Sequence, residues 1–167
     1  TYMKKKPAHD LKKGEIKDIL NSIRNLFGET ILQSIDSKSS FKISNLEENI
    51  DIIYVNDAPS FLKLKDNFIP SLKLLISLKK DEIPRRIVID MGAVPFISKG
   101  ADVMRPGIKE VDSQIEKDGP VIIIDEKHGK PIAVGIAMYS SEEISSMNEG
   151  KVIKTLHYIG DKIWQGL

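Results

Sequence analysis

The sequence predicts an α+β protein in two parts, a small α/β domain over residues 1–83 followed by a mostly β pseudo-barrel over residues 84–167. Two observations support this division. The first part mixes helical and strand patterns, whereas the second consists mainly of short apolar runs separated by turn residues, which is typical of a small barrel. Between them, the segment DEIPRR at residues 81–86 interrupts both patterns and marks the predicted boundary.

The N-terminal part begins with an amphipathic helix. Apolar residues recur at helical spacing from Ile16 to Phe27, and Gly28 stands where a left-handed cap would end the helix. Three runs rich in β-branched and aromatic residues follow and are predicted to be strands: FKIS, IDIIYV and SFLKLK. A second helix is predicted in FIPSLKLLISLKK, with Pro70 in its first turn, where proline is tolerated.

The C-terminal part opens with the apolar strand RRIVIDMG and a short helix in AVPFISKG that ends at Gly100. The segment VIIIDEKHGKPIAVGIAMY is predicted to be a hairpin that turns at His128–Gly129. A capping-box pattern predicts a short helix in SSEEISSMNEG. The last stretch, KVIKTLHYIGDKIWQ, is predicted to form two strands around Gly160–Asp161.

Composition indicates a globular protein of the cytoplasm. The chain is 41% hydrophobic, enough for a core, and lacks both a membrane-spanning run and the apolar region of a signal peptide. Without cysteine, disulfides and thiolate metal sites are excluded. Its 25 basic and 24 acidic residues give a net charge of +1, so any basic surface must be local. We interpret the lysine cluster near the start as a solvated face: Lys4, Lys5, Lys6, Lys12 and Lys13.

The sequence contains no recognisable catalytic or metal-binding constellation. It has no phosphate-binding GxxxxGK[ST] loop, no GxSxG elbow and no HExxH motif. Asp125, Glu126 and His128 lie close together, but the predicted hairpin tip would expose them, and we interpret them as a turn. We therefore predict no enzyme, no cofactor and no metal site.

The stretch SKGADVMRPGI, residues 98–108, predicts a stiff loop with accessible backbone. Gly100 is expected to have a positive φ, and Pro106–Gly107 fits the central positions of a type II turn. Arg105 would then project from the turn and donate to a phosphate or a base edge. The alternative is that the glycines turn a tight barrel corner and Arg105 bonds a carboxylate such as Asp102. The residues alone leave both open.

Two further segments have alternative interpretations. In PIAVGIAMY, small residues including Gly135 alternate with bulky ones, which favours close packing over a ligand site. In LHYIGDKIW, His157 and Tyr158 could stack on RNA bases or belong to the core, and Trp164 is expected in the core.

The order of three motifs carries a specific resemblance: VIDMGAVPFISKGADVMRPGI, then PIAVGIAMYSSEE, then GKVIKTLHYIGDKIW. From about Pro84 to the end, the chain resembles the PUA domain, an RNA-binding pseudo-barrel. The layout of the first part and the HYIGDKIW ending look like archaeal relatives of the malignant T-cell amplified sequence protein, a family that joins a pre-PUA domain to a PUA domain.

The resemblance implies RNA binding without catalysis. The implied partners are transfer RNA or ribosomal RNA, with the small ribosomal subunit and an initiation-factor-like protein as further candidates. The alternative function is a protein–protein adaptor that works through the pre-PUA domain. The predicted RNA-binding residues are Arg85, Arg86, Lys99, Gly100, Ala101, Asp102, Met104, Arg105, Pro106, Gly107, Gly135, His157 and Tyr158.

Overall fold

A computed structural model describes residues 5–167, so Lys4 of the lysine cluster lies outside the described residues. The N-terminal half contains a five-stranded antiparallel sheet in the order β1-β2-β3-β4-β5, in which each strand pairs with the next. Two helices accompany it. The bounds are β1 His9–Asp10, α1 Lys13–Phe27, β2 Phe41–Glu47, β3 Ile50–Val55, β4 Ala58–Leu64, β5 Asn67–Pro70 and α2 Leu72–Ile76.

The predicted first helix and the three predicted strands are confirmed in this half. Gly28 ends α1 with a φ of 82°, and its N–H donates to Arg24 O at 2.8 Å. Strands β1 and β5 go beyond the prediction. Because β5 ends at Pro70, this proline does not begin α2 as predicted. Ser71 caps that helix instead, and its hydroxyl accepts the Leu74 N–H at 3.1 Å.

The C-terminal half is a six-stranded sheet with three short helices. Its strands lie in the order β7-β11-β10-β9-β6-β8, antiparallel except for the parallel pair β6 and β9. A short turn joins the two edge strands β7 and β8 directly, which curls the sheet into the predicted, nearly closed barrel. The bounds are β6 Arg86–Ile89, α3 Val94–Ile97, β7 Val103–Met104, β8 Ile108–Val111, β9 Pro120–Asp125, β10 Pro131–Ala137, α4 Ser141–Ser146, β11 Lys151–Tyr158 and α5 Lys162–Gly166.

The end of the chain differs from the prediction of two strands. Strand β11 is followed by the one-turn helix α5. Gly160 has a φ of 93° and turns the chain, and the Asp161 carboxylate accepts the Trp164 N–H at 2.7 Å as a helix cap. Local capping by Asp161 therefore outweighs the β-propensity of the residues after it. Trp164 packs at the margin of the core, where Lys73 Nζ lies 4.0 Å from the ring centroid.

One apolar core joins the two halves. Leu72 and Leu75 of α2 are fully buried and belong to the same cluster as Val88, Ile122 and Val134 of the barrel. A second cluster fills the barrel itself. Within residues 5–167 no strand pairs across the two sheets, so side-chain packing connects them. A domain boundary between residues 83 and 84 fits this arrangement and stays a prediction.

Candidate nucleic-acid interface

The turn between α3 and β7 is fixed around Gly100. Its N–H donates to Ile97 O at 2.9 Å, and its φ of 92° confirms the predicted left-handed conformation. The glycine also lies against Tyr158, because a Cβ built on it would be 2.8 Å from Cε1 of that ring. Any other residue would both strain the backbone and displace the ring. Gly100 and Tyr158 therefore form one continuous surface.

Ala101 and Asp102 tie this turn to β11. Ala101 O accepts the Thr155 hydroxyl at 2.8 Å, and Asp102 Oδ1 accepts the Thr155 N–H at 2.9 Å. Asp102 Oδ2 lies 3.0 Å from Lys151 Nζ. Burial raises the pKa of Asp102, but the hydrogen bond from the Thr155 N–H and the positive charge of Lys151 together lower it by more. The pKa of Asp102 therefore lies below its ordinary value. The ionised carboxylate offsets part of the positive charge of this surface.

The turn that joins β7 to β8 is not the predicted type II turn. Residues 105–107 form one turn of 3-10 helix, and Gly107 does not have the positive φ that a type II turn requires. Its carbonyl accepts the Asp90 N–H at 2.9 Å, and a Cβ on Gly107 would lie 3.0 Å from Ala93 Cβ. Close passage of the segment between β6 and α3, rather than backbone conformation, accounts for this glycine.

Arg105 does not project from the turn as predicted. Its Nε donates to Ile144 O at 2.6 Å, and its Nη1 donates to Ile108 O at 3.2 Å. The alternative partner, Asp102, pairs with Lys151 instead. Arg105 therefore holds the last turn of α4 at the Ile144 carbonyl, which also accepts the Met147 N–H at 3.1 Å. An RNA contact by Arg105 stays a prediction.

Arg85 and Arg86 lie at the junction of the two halves. Arg85 Nε donates to Leu26 O near the end of α1, and its Nη1 donates to Gln114 O at 2.7 Å. Arg86 Nη1 donates to Lys80 O at 2.8 Å. All three arginines of the C-terminal half thus bond backbone carbonyls. The lysines are the remaining cationic side chains that could contact a phosphate.

The Arg85 bonds give a testable prediction. Arg85→Ala should lower the free energy of unfolding by about 2 kcal/mol, because it removes two charged hydrogen bonds that join separate elements. Lys127→Ala also removes one positive charge, from an exposed position after β9, and should change the free energy by less than about 0.5 kcal/mol. Urea denaturation followed by circular dichroism would measure both. Equal values would show that the bonds contribute nothing.

Gly135 and His157 are buried, so the structure removes both from the predicted RNA surface. Gly135 lies at a bulge where β10 passes β11, and a Cβ there would be 2.6 Å from Lys154 O. The His157 side chain is fully buried, with Nδ1 2.9 Å from Asp161 Oδ2. Close packing explains the glycine, as its alternation with bulky residues indicates.

The expected exposure of the hairpin group is wrong for Asp125, which is only 4% exposed. Its carboxylate oxygens accept the N–H groups of His128 and Lys130, which shapes the turn between β9 and β10. Glu126 and His128 are exposed. Within residues 5–167, no three histidine, aspartate or glutamate side chains are grouped to hold a metal ion. No helix in the same range has the length and apolarity to cross a bilayer.

Exposed side chains surround the Gly100 turn on the same elements. Lys99 follows α3, and Met104 lies on β7 opposite Lys151 of β11. Lys154, also on β11, is exposed. Burial raises the pKa of Asp102, whereas Thr155, Lys151 and, most weakly, Lys154 lower it, so Lys154 lies near this carboxylate. Sequence reasoning identified Lys99 and Met104 but missed both lysines of β11. Only the pairing of β11 with β7 brings these lysines to the turn, so the local sequence carries no signal for them.

Phe96 of α3 is a second residue that sequence reasoning missed. Its side chain is 67% exposed. Val94 and Ile97 pack on the barrel core, and their spacing of three residues leaves Phe96 on the outer side of this one-turn helix. That spacing is readable in AVPFIS and is the signal that could have found it. We define the Gly100 face as the surface formed by Phe96, Lys99, Gly100, Met104, Lys151, Lys154 and Tyr158.

Comparison with family models divides the chain in the same way as its two sheets. Residues 8–78 match a domain of unknown function (DUF1947), and residues 85–159 match the PUA domain. The Gly100 face lies wholly within the second match.

Similar proteins span most of the chain. It is 40% identical to an uncharacterized protein of Methanocaldococcus jannaschii over 92% of this chain and 93% of that protein. Translation machinery-associated protein 20 of Saccharomyces cerevisiae is 32% identical, over 81% and 77%. Malignant T-cell-amplified sequence 1 of Danio rerio is 30% identical, over 92% and 88%. A crystal structure of a hypothetical protein from Pyrococcus horikoshii is 38% identical, with a TM-score of 0.89 over 96% and 99%.

Proposed function

Because the chain belongs to the family of malignant T-cell-amplified sequence 1 and translation machinery-associated protein 20, with a pre-PUA and a PUA domain, we propose that it is a translation-associated RNA-binding protein. The proposed ligand is transfer RNA or the RNA of the small ribosomal subunit, which places the protein in the cytoplasm. One observation carries the proposal for the site: a rigid glycine turn is surrounded by exposed lysines on the Gly100 face.

The face supports binding by shape and charge. The Tyr158 ring fills the space beside the Gly100 backbone, so the turn and the ring present one packed surface to a ribose or phosphate group. Lys99, Lys151 and Lys154 supply point charges for phosphate oxygens, whereas Arg105 is held by backbone carbonyls. Contacts of this kind position an RNA strand without reading its sequence.

The proposed contact has a shallow salt dependence. Three lysines contribute to the face, and Asp102 partly neutralises Lys151. We therefore expect about two or three phosphate contacts, each adding roughly −0.7 to the slope of log K against log salt for a single strand. Affinity of the protein alone should be modest, and the ribosome or a protein partner would add further contacts.

Removing two exposed lysines of the face tests the proposal. The double variant Lys99→Ala with Lys154→Ala should bind transfer RNA and small-subunit particles more weakly and lose roughly 1.4 from the salt slope, because two phosphate contacts disappear. Titration of both ligands at several salt concentrations measures affinity and slope together.

The matched control is Lys38→Ala with Lys127→Ala, which removes the same charge from two exposed lysines outside the Gly100 face. This variant should keep the wild-type affinity and slope. If the two double variants behave alike for both ligands, the RNA-binding face lies elsewhere on the protein.

We also propose that the protein has no catalytic activity of its own. The support is the lack of recognised catalytic motifs in the sequence and of grouped metal-binding side chains within residues 5–167. Turnover of nucleosides, nucleotides or transfer RNA that a single acidic or histidine substitution abolishes would contradict this.

A second candidate function is a protein–protein adaptor, favoured by a groove in the N-terminal half. An open groove of about 610 Å³ lies between α1 and the segment that leads to β2, with Ile16, Leu20 and Ile35 in its walls. Such a groove suits a protein segment, for example from an initiation-factor-like partner. Wild-type RNA binding by the Lys99 and Lys154 double variant, together with lost partner binding by Leu20→Asp, would favour this function.

A further inference from the structure

The groove beside α1 is apolar along its centre. It lies between α1 and the segment that leads to β2 and has a volume of about 610 Å³. Ile16, Leu20 and Ile35 line it and are half-buried, and Leu32 and Phe41 line it and are buried. The half-buried side chains leave apolar surface in contact with water, so a ligand that covers this surface gains free energy from its burial.

The shape of the groove suits a helix. The lining residues of α1 share one face of that helix and are Lys13, Ile16, Leu20 and Arg24. They span about 16 Å, the length of three helical turns. Among the described residues that line the groove, Phe41 alone belongs to a strand, and its carbonyl already accepts the Leu11 N–H at 3.1 Å. An extended segment therefore finds no free strand edge to pair with, whereas a helix needs only side-chain packing.

One end of the groove carries a charge without a partner. Arg24 Nε lies 2.6 Å from Glu29 Oε1, so these two charges neutralise each other. Asp36 Oδ1 accepts the Lys38 N–H at 2.8 Å. Lys13, at the opposite end of the α1 face from Arg24, is exposed and forms no ion pair within residues 5–167. The groove therefore presents an unpaired positive charge at its Lys13 end.

The positions of Lys13 and Lys17 are unfavourable for the isolated fold. Lys13 is the first residue of α1, and Lys17 follows it by four residues and is also exposed. Cations near a helix N-terminus oppose the helix dipole, and like charges at this spacing repel each other. An anionic group on a ligand would offset both effects. A phosphate backbone could supply the charge but not the apolar groups that cover Ile16 and Leu20, so a protein segment fits the groove better than RNA.

We propose that the groove binds an amphipathic helix of a partner protein, which carries an acidic residue at the end that meets Lys13. Its apolar residues, three and four positions apart, would pack on Ile16, Leu20 and Ile35. The proposal rests on the adaptor function described above and specifies the chemistry of the partner. It is independent of RNA binding by the Gly100 face.

The test uses the full chain and helical peptides of about 14 residues selected from a random display library for binding to it. Because the chain has no cysteine, a fluorophore on Ser37→Cys marks one site, the exposed wall of the groove. Selected peptides should change its fluorescence and should share the apolar spacing and an acidic residue at one end. A selection in which no peptide alters the fluorophore would overturn the proposal.

Charge reversal tests the orientation of the bound helix. In the labelled chain, Lys13→Glu should weaken the selected peptide roughly 2-fold to 30-fold at low salt, because an exposed ion pair becomes a repulsion. The same peptide with lysine in place of its acidic residue should prefer Lys13→Glu to the wild type. Lys127→Glu is the matched control: it makes the same charge change at an exposed position of the other half and should leave both affinities unchanged.

Three results would overturn the proposal. Lys13→Glu and Lys127→Glu could weaken the peptide equally, or the lysine peptide could fail to prefer Lys13→Glu. Alternatively, the wild type could form a dimer that Lys13→Glu abolishes, which would identify a second copy of the chain as the occupant. The RNA-binding function is measured separately with the Lys99 and Lys154 double variant, so failure of the helix site leaves it standing.

Discussion

Gly135→Val is expected to destabilise the protein by about 3 kcal/mol, because the new side chain has no space beside β11. A Cβ at this position would lie 2.6 Å from Lys154 O and 2.7 Å from Ile153 Cγ2. The first of these atoms belongs to the backbone of the neighbouring strand and cannot rotate away. Strands β10 and β11 must therefore separate at the bulge, which exposes apolar residues of the barrel core.

Urea denaturation measures this loss, with Gly14→Ala as the control. Gly14 lies in the first turn of α1, and a Cβ there would meet no atom within 4 Å. Alanine in a helix is favoured over glycine by roughly 0.5–1 kcal/mol, so the control should leave stability unchanged or raise it. A Gly135→Val variant as stable as Gly14→Ala would show that the strands adjust without cost.

Asp161→Ala should also destabilise the protein by about 3 kcal/mol, because three hydrogen bonds converge on this carboxylate. It accepts from Trp164 N–H at 2.7 Å and from Tyr158 N–H at 2.9 Å, and it pairs with Nδ1 of the fully buried His157 at 2.9 Å. His157 Nε2 is buried and has no partner within the described residues. Losing Asp161 would leave both ring nitrogens of this histidine unpaired.

Asp161→Asn separates the two tasks of the carboxylate. Asparagine caps a helix about as well as aspartate, so the loss should fall to about 1 kcal/mol. Thermal or urea unfolding of both variants gives the comparison. If Asp161→Asn is as unstable as Asp161→Ala, the cap contributes nothing and the pairing with His157 accounts for the whole effect.

Asp161 also predicts a pH dependence of stability. Burial raises its pKa, but hydrogen bonds from His157, Trp164 and Tyr158 outweigh burial and hold the pKa below its ordinary value. A lowered pKa stabilises the fold above the unfolded value of about 3.9, and this stabilisation is lost as the pH falls through the folded pKa. The stability difference between wild type and Asp161→Asn should therefore shrink from about pH 5 to about pH 3. A constant difference would contradict this.

Local patterns predicted those parts of the fold that local chemistry determines. Helix α1 follows from its apolar spacing, and the positive φ of Gly28 and Gly100 follows from helix ends that need glycine. The same reasoning gave a wrong turn at Gly107. A glycine after proline fits a type II turn. Here, however, glycine is needed because Ala93, which is not a sequence neighbour of Gly107, packs closely against it.

The candidate site was less predictable because strand pairing assembles it. The chemistry of the arginine side chain suggested phosphate contacts. Arg85 and Arg105 instead bond backbone carbonyls far along the chain, and tertiary structure determines these partners. Lys151 and Lys154 reach the Gly100 turn only through β11. Phe96 is the exception, since the spacing of Val94 and Ile97 already places it outside.

The core shared by α2 and the barrel fixes the distance between the groove of the N-terminal half and the Gly100 face. Leu72 and Leu75 are fully buried within one cluster with Val134 of the barrel, so no free hinge separates the two surfaces. A protein segment in the groove and an RNA strand on the face would then be held at one fixed separation and orientation. Because no linker has to be ordered, a ligand bound at one surface would leave the other surface already positioned to bind a further component.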